Sequence, residues 1–432
     1  MTIQAGVAAD DPKAALVGRD ILAAGGNAVD AAVAMTMTMA VTLPARAGLG
    51  GGGVCLVHDR AGKRTRALDF LPREGGTRGA VPGTPRGIYA LHAAHGRLRW
   101  EELVAPAETL ARGDRSISRA AALDLADFEA VVARDGEARR IFAARGRTPD
   151  EAQPLAQLDL AATLAALRQR GVGALYAGPL AQRVADAAGL PPEALRGYQP
   201  RWVETVGTEV GNDVLHLADV EGSRPLLTAW TQGVSDAPDR AVRVVDALAG
   251  GADGAGAGAP SAGFAVLDVY DQAVACAFTM GAPFGTGAMV PGTGLFLARP
   301  TDGAGIGGPV MVTNANTGEV LFAASGSTGL PEEGNAGAAA ATVTTSIALL
   351  DRGLPPGDAI GAIRIAPAGD GAVLVERTAP ASLGQSLGRP VRVIPTLGRA
   401  NVVHCRLERT DGSRDCQALT DPRGFGLALT GG

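Results

Sequence analysis

Aromatic residues make up only 4% of the 432-residue chain, against 46% hydrophobic residues and 61 glycines. That scarcity argues against an aromatic-lined groove for large flat ligands and predicts a core of Ala, Val and Leu around close backbone contacts. Charge of one sign is equally short. The net charge is −5, with acids and bases mixed along the sequence, so there is no basic footprint for nucleic acid or for an anionic membrane surface. A small molecule is the expected partner, with no nucleic acid and no membrane. The most apolar segment, residues 31–43, is too short to span a bilayer and predicts a buried helix. No basic region followed by an apolar stretch opens the chain, so no secretory signal is visible and a cytoplasmic location is expected.

Metal-binding patterns are lacking too. The histidines His58, His92, His95, His216 and His404 form no i, i+4 pair around an acid, and the four cysteines show no zinc spacing. No metal and no cofactor are expected. Cys55 and Cys276 fall in apolar strands and read as free structural thiols. Cys405 and Cys416 flank a turn at Asp411-Gly412, where spacing alone leaves free thiols and a bridge both open.

The length exceeds the size at which one core usually stops growing, which predicts several domains or one large layered sandwich. Asp10, Asp11 and Pro12 supply a cap and a first helical residue. Ala14, Val17, Ile21 and Ala24 then recur at helical spacing until Gly25-Gly26, which predicts an amphipathic surface helix. A second helix runs from about Asn27 to just before Pro44. The glycine run 48–53 leads into a strand at 54–57, a turn at 59–62 and a strand at 65–70. That run precedes a strand and lacks a following Lys-Ser/Thr, so it is a packing or turn element and not a phosphate loop. Residues 85–246 read as largely helical, for example at 158–170 and 179–188. After them come a flexible Gly/Ala linker at 250–260, strands at 264–269 and 273–279, a hairpin near Asn316-Thr317-Gly318, and a helix over 337–352.

Ser261 stands at the junction of that linker and the first strand beyond it. If the Pro260–Ser261 bond were cut, Ser261 would carry a free α-amine of pKa about 8 beside its own hydroxyl. One residue would then supply both nucleophile and general base.

Five stretches, in order, are Gly25-Gly26-Asn27-Ala28-Val29-Asp30-Ala31-Ala32, Gly48-Leu49-Gly50-Gly51-Gly52, Val81-Pro82-Gly83-Thr84, Val290-Pro291-Gly292-Thr293-Gly294 and Asp421-Pro422-Arg423. Together they resemble the γ-glutamyltranspeptidase family of N-terminal-nucleophile hydrolases. The resemblance implies an α+β fold, a four-layer αββα sandwich, made as a precursor that cleaves itself. Residues 1–260 would form a large-subunit-like part and 261–432 a small-subunit-like part, paired in one interwoven sandwich.

The family's nucleophilic threonine corresponds to Ser261, and its second threonine, which orients the nucleophile, to Thr279. The glycine pair of the family's oxyanion hole corresponds to Ser327 and Thr328, which puts the required backbone conformation in question. The arginine that grips the substrate carboxylate corresponds most nearly to Arg73, displaced by two residues, and Arg299 is a second anchor. Gly281 replaces the family's asparagine, and the acids that bind the substrate's amino group survive only as Asp302. These losses imply an amide hydrolase or acyltransferase whose substrate has shifted from glutathione toward another amide or γ-glutamyl-type molecule. The alternative is an uncleaved homologue serving as a scaffold or binding module.

Overall fold

The computed structural model describes residues 4–113, 116–144, 146–221, 223–234, 239–249, 261–301, 306, 308–329, 333, 336–368, 370–380, 383, 387–407 and 414–431. The 250–260 linker with Pro260, Asp302 and the Asp411-Gly412 turn lie outside them.

Eighteen strands are present among the described residues. They are β1 (Ala5–Ala9), β2 (Gly52–Asp59), β3 (Arg64–Asp69), β4 (Arg201–Val203), β5 (Thr205–Val210), β6 (Asp213–Ala218), β7 (Ser261–Leu267), β8 (Ala273–Thr279) and β9 (Met289–Val290). They continue with β10 (Leu295–Phe296), β11 (Val310–Asn314), β12 (Val320–Ser327), β13 (Ile365–Pro367), β14 (Val373–Glu376), β15 (Val391–Ile394), β16 (Arg399–Leu407), β17 (Arg414–Thr420) and β18 (Leu427–Gly431). One sheet has the order β18-β1-β7-β8-β2-β3-β4, the other β17-β16-β12-β11-β6-β5.

Val54, Leu56, Ala265, Ala275 and Ala277 from the first sheet pack against Met311, Ala323 and Val403 from the second. Alanine dominates this seam, so the backbones of the two sheets approach closely. Helices α1 (Pro12–Ala23) and α2 (Ala28–Thr42), with Trp100–Ala111 and Leu158–Arg170, cover the outer face of the first sheet. Helices Ser223–Gly233 and Ala336–Ser346 cover the second. The result is a four-layer αββα sandwich.

Local chemistry explains the two opening helices. Asp11 caps α1 by accepting from Lys13 and Ala14 N–H groups at 3.1 Å each. Asn27 and Asp30 form a reciprocal capping box on α2. Asp30 also accepts from Arg97 N–H at 2.9 Å, and Asp268 accepts from Ala28 N–H at 2.9 Å, so the Gly-Gly-Asn-Ala-Val-Asp motif ties α2 to two distant segments. The glycine run meets the Val-Pro-Gly-Thr motif directly: Gly51 C=O accepts from Gly83 and Thr84 N–H groups at 2.8 and 3.0 Å.

Two expectations are corrected. The stretch 85–246 is not helical throughout, because β4, β5 and β6 interrupt it. The β5–β6 hairpin turns at Gly211-Asn212, and β5 is mostly exposed on its outer side, so it carries no apolar run to reveal it. The cysteines are not free thiols. Cys55 and Cys276 are cross-strand partners on β2 and β8, Cys405 and Cys416 on β16 and β17, and both pairs are disulfides with Cα atoms 4.1 and 4.0 Å apart. Among the described residues no helix is long and apolar enough to cross a membrane.

His404 on β16 is buried, and that burial, reinforced by Arg406, lowers its pKa from 6.5 to about 4. Between those values the unfolded chain binds a proton that the folded chain refuses. The stability is therefore present above pH 6.5 and is lost as pH falls toward 4. Relative to His404→Gln, the wild type is expected to lose about 2–3 kcal/mol across that window, measured by urea denaturation at fixed ionic strength.

Candidate active site

Ser261 opens β7, an interior strand between β1 and β8, and its side chain is buried. In register it faces Thr279 at the end of β8, which in turn faces Gly52 at the start of β2. Directly opposed residues of an antiparallel pair project to the same side of the sheet, so the Ser261 and Thr279 hydroxyls share one face. Thr279 Oγ1 accepts from Gly281 N–H at 3.0 Å and keeps its own proton to donate. Among the described residues no hydrogen bond joins the two hydroxyls.

The hydroxyl of Ser261 instead meets the second sheet. Its Oγ accepts from the Thr328 backbone N–H at 3.0 Å. Thr328 follows directly on β12, whose last residue, Ser327, donates its hydroxyl to Asp10 Oδ1 at 3.0 Å. Asp10 also accepts from Asn401 Nδ2 at 2.9 Å and from Gly263 N–H at 2.7 Å. One buried carboxylate thus ties β7 to β12 and β16. Burial raises the Asp10 pKa, against the opposing pull of Arg399 and these hydrogen bonds.

Neither Ser327 nor Thr328 is among the residues at positive φ, so an ordinary L-residue presents the N–H. Among the described residues one neighbouring amide points at Ser261, since Gly329 N–H donates to Glu333 Oε2 at 2.8 Å.

Arg46, in the short helix Pro44–Ala47, comes up behind this turn and is buried. Its Nε donates to Asp124 at 2.8 Å and its Nη2 to Asp124 Oδ1 at 2.5 Å. Its Nη2 also reaches Gly329 C=O at 2.9 Å, and its Nη1 reaches Thr328 C=O. Burial opposes the Arg46 charge, but the Asp124 carboxylate more than offsets it and holds the guanidinium above its ordinary pKa.

The recognition candidates are placed differently. Arg73 is committed elsewhere: it donates to Gln199 C=O at 2.8 Å, pairs with Asp69 at 3.4 Å and lies over the Tyr198 ring. Arg201 shares the same Asp69 carboxylate. Arg299 is exposed, and its backbone N–H donates to Met280 C=O at 2.9 Å, one residue beyond Thr279. Gly281 has φ +73, and a β-carbon there would lie 2.6 Å from Arg299 C=O, so backbone geometry demands glycine at this position.

Asp10, Arg46, Asp124, Glu333 and Asn401 were not anticipated. Asp10 reads in sequence as part of a helix cap, a role that belongs to Asp11 alone. Arg46 did carry a signal, as a lone charge in an apolar stretch between a buried helix and a glycine run.

The family model described as Gamma-glutamyltranspeptidase matches residues 14–243. The glutathione hydrolase proenzyme of Bacillus subtilis (strain 168) is 32% identical over 204 residues, covering 42% of this chain and 35% of that protein. The glutathione hydrolase proenzyme of Pseudomonas aeruginosa is 29% identical over 262 residues, covering 53% of this chain and 45% of that protein. These matches therefore span less than half of the relatives' own length. Cephalosporin acylase from Bacillus halodurans superposes with a TM-score of 0.81 at 21% identity, covering 99% of this chain and 96% of that one, a likeness of fold.

Asp10→Ala would strip the acceptor from three buried donors, Ser327, Asn401 and Gly263. We expect it to cost about 3–5 kcal/mol in chemical denaturation, with Asp10→Asn costing distinctly less because one oxygen acceptor survives.

Proposed function

Because the chain belongs to the gamma-glutamyltranspeptidase family, we propose that it is an amide hydrolase or acyltransferase that cleaves itself between Pro260 and Ser261. The observation that carries this reading is the Thr328 N–H on Ser261 Oγ, with Thr279 opposite in register. Acyl transfer needs a nucleophilic hydroxyl with a base beside it and a backbone donor near the carbonyl it attacks, and Ser261 with Thr328 N–H next to its hydroxyl supports that reading.

In the proposed reaction the new α-amine of Ser261 takes the hydroxyl proton as Oγ attacks the amide carbonyl. The carbonyl π electrons move onto oxygen, and Thr328 N–H, turning from Oγ to that oxygen, would stabilise the oxyanion. Collapse expels the amine, which leaves with the proton, and gives an ester on Ser261. Water or another amine then resolves that ester. Thr279, free to donate, would orient the serine oxygen.

The acyl group we propose is a carboxylate-bearing one anchored by Arg299, the exposed guanidinium beside Met280 and Gly281. Arg73 is a weaker anchor, since Asp69 and the Gln199 carbonyl already occupy it. Loss of the glutamyl-binding asparagine at Gly281 supports a substrate other than glutathione. Arg299→Ala would then raise KM more than it lowers kcat.

Cleavage would leave Cys55 in the first piece and Cys276 in the second, joined by their disulfide. We therefore expect one full-mass species on a non-reducing gel and two pieces, 1–260 and 261–432, after reduction. Ser261→Ala should stay uncut under both conditions, and Ser261→Thr should still process. A wild type that remains a single chain after reduction would overturn the hydrolase reading and leave a scaffold or binding module.

A further inference from the structure

We infer that the buried Arg46–Asp124 pair is the positioning element of the site, fixing the turn that presents Thr328 N–H to Ser261. This rests on the hydrolase reading above and extends it to residues outside the family's motifs.

The geometry is specific. Arg46 and Asp124 have side-chain exposures of 3% and 7%. Replacing such a pair by apolar residues of similar volume is often neutral or stabilising, so stability alone is a weak reason to keep it. What distinguishes this pair is where the remaining guanidinium donors go. They reach the carbonyls of Thr328 and Gly329, two consecutive residues, while Nη1 lies 3.5 Å from the Ser261 carbonyl oxygen. One planar cation therefore touches both the strand that begins with the nucleophile and the turn that supplies its N–H donor.

Asp124 sits near the end of the helix Arg119–Asp127 and holds Nε and Nη2, so the guanidinium cannot rotate away. The Phe128 ring lies 5.9 Å from the guanidinium carbon. From the other side, Glu333 holds Gly329 N–H, so both the N–H and the C=O of Gly329 are fixed.

The consequence follows from how oxyanion donors act. Their value lies in being oriented before charge develops, so that no reorganisation is needed during the reaction. Glycines leave a turn conformationally loose, whereas a turn whose Thr328 and Gly329 carbonyls are pinned by a buried cation is stiff. Arg46 acts through Thr328 and not on the substrate, so it is a positioning residue.

The test compares wild type, Arg46→Met, Arg46→Lys and the double variant Arg46→Met/Asp124→Leu, which removes both charges together and avoids an orphaned one. The readouts are thermal melting, the self-cleavage half-time of newly made chain on reducing gels, and phosphonylation of Ser261 by a fluorophosphonate probe, read by intact mass. We expect the double variant to melt within a few degrees of wild type while self-cleavage and probe uptake slow by about 10²–10³-fold. Arg46→Lys, which keeps the charge but not the fork, should fall between.

A folded double variant that cleaves and labels at the wild-type rate would overturn the positioning role and leave the hydrolase reading intact. A wild type that neither cleaves nor labels overturns both. If Arg46→Met alone unfolds, the double variant still decides the matter.

Discussion

At Gly263 a β-carbon would sit 2.0 Å from Ser325 Oγ, so β7 and β12 approach until a side chain of one sheet fills the space above the backbone of the other. This contact sets the separation of the two sheets at the end where Ser261 lies. The hydrogen bond from Thr328 N–H to Ser261 Oγ, the reach of Asp10 across to Ser327, and the grip of Asn401 on both Asp10 and the Gly263 carbonyl all require it. A larger residue would push the sheets apart and dissolve the polar seam as a unit, since these groups are buried and depend on one another for hydrogen bonds.

Several buried ion pairs among the described residues join segments distant in sequence. Asp271 meets Arg414 beside Arg60. Arg364 meets Asp421, and Arg423 meets Glu376 and the same Asp421, which gives the Asp-Pro-Arg motif a structural role.

Much of this fold was legible in sequence. Helix α2 is buried on every face, and its unbroken apolar text said so. The capping box at Asn27 and Asp30 marked its start. Ser261 and Thr279 were singled out through motif order, and the structure sets them opposite each other in register. Pairings between distant strands were not legible: nothing local in Cys55 or Cys276 reveals that residues 221 apart stand side by side. Arg73 resembled a substrate anchor because its neighbours in sequence did, but Asp69 and Tyr198 claim it through folding. Polar edge strands such as β5 carry no apolar alternation and escaped notice.

The strand β18 lies antiparallel to β1 with Gly431 opposite Ala5, while β7 lies on the other flank of β1. The first and last strands among the described residues are thus direct neighbours in the sheet. A variant in which a linker runs from Gly431 to Ala5 and synthesis starts at Ser261 would keep the β18-β1-β7 order. Its serine would acquire a free amine from initiator removal, with no peptide bond to break. The proposed self-cleavage and the proposed acyl transfer could then be studied apart.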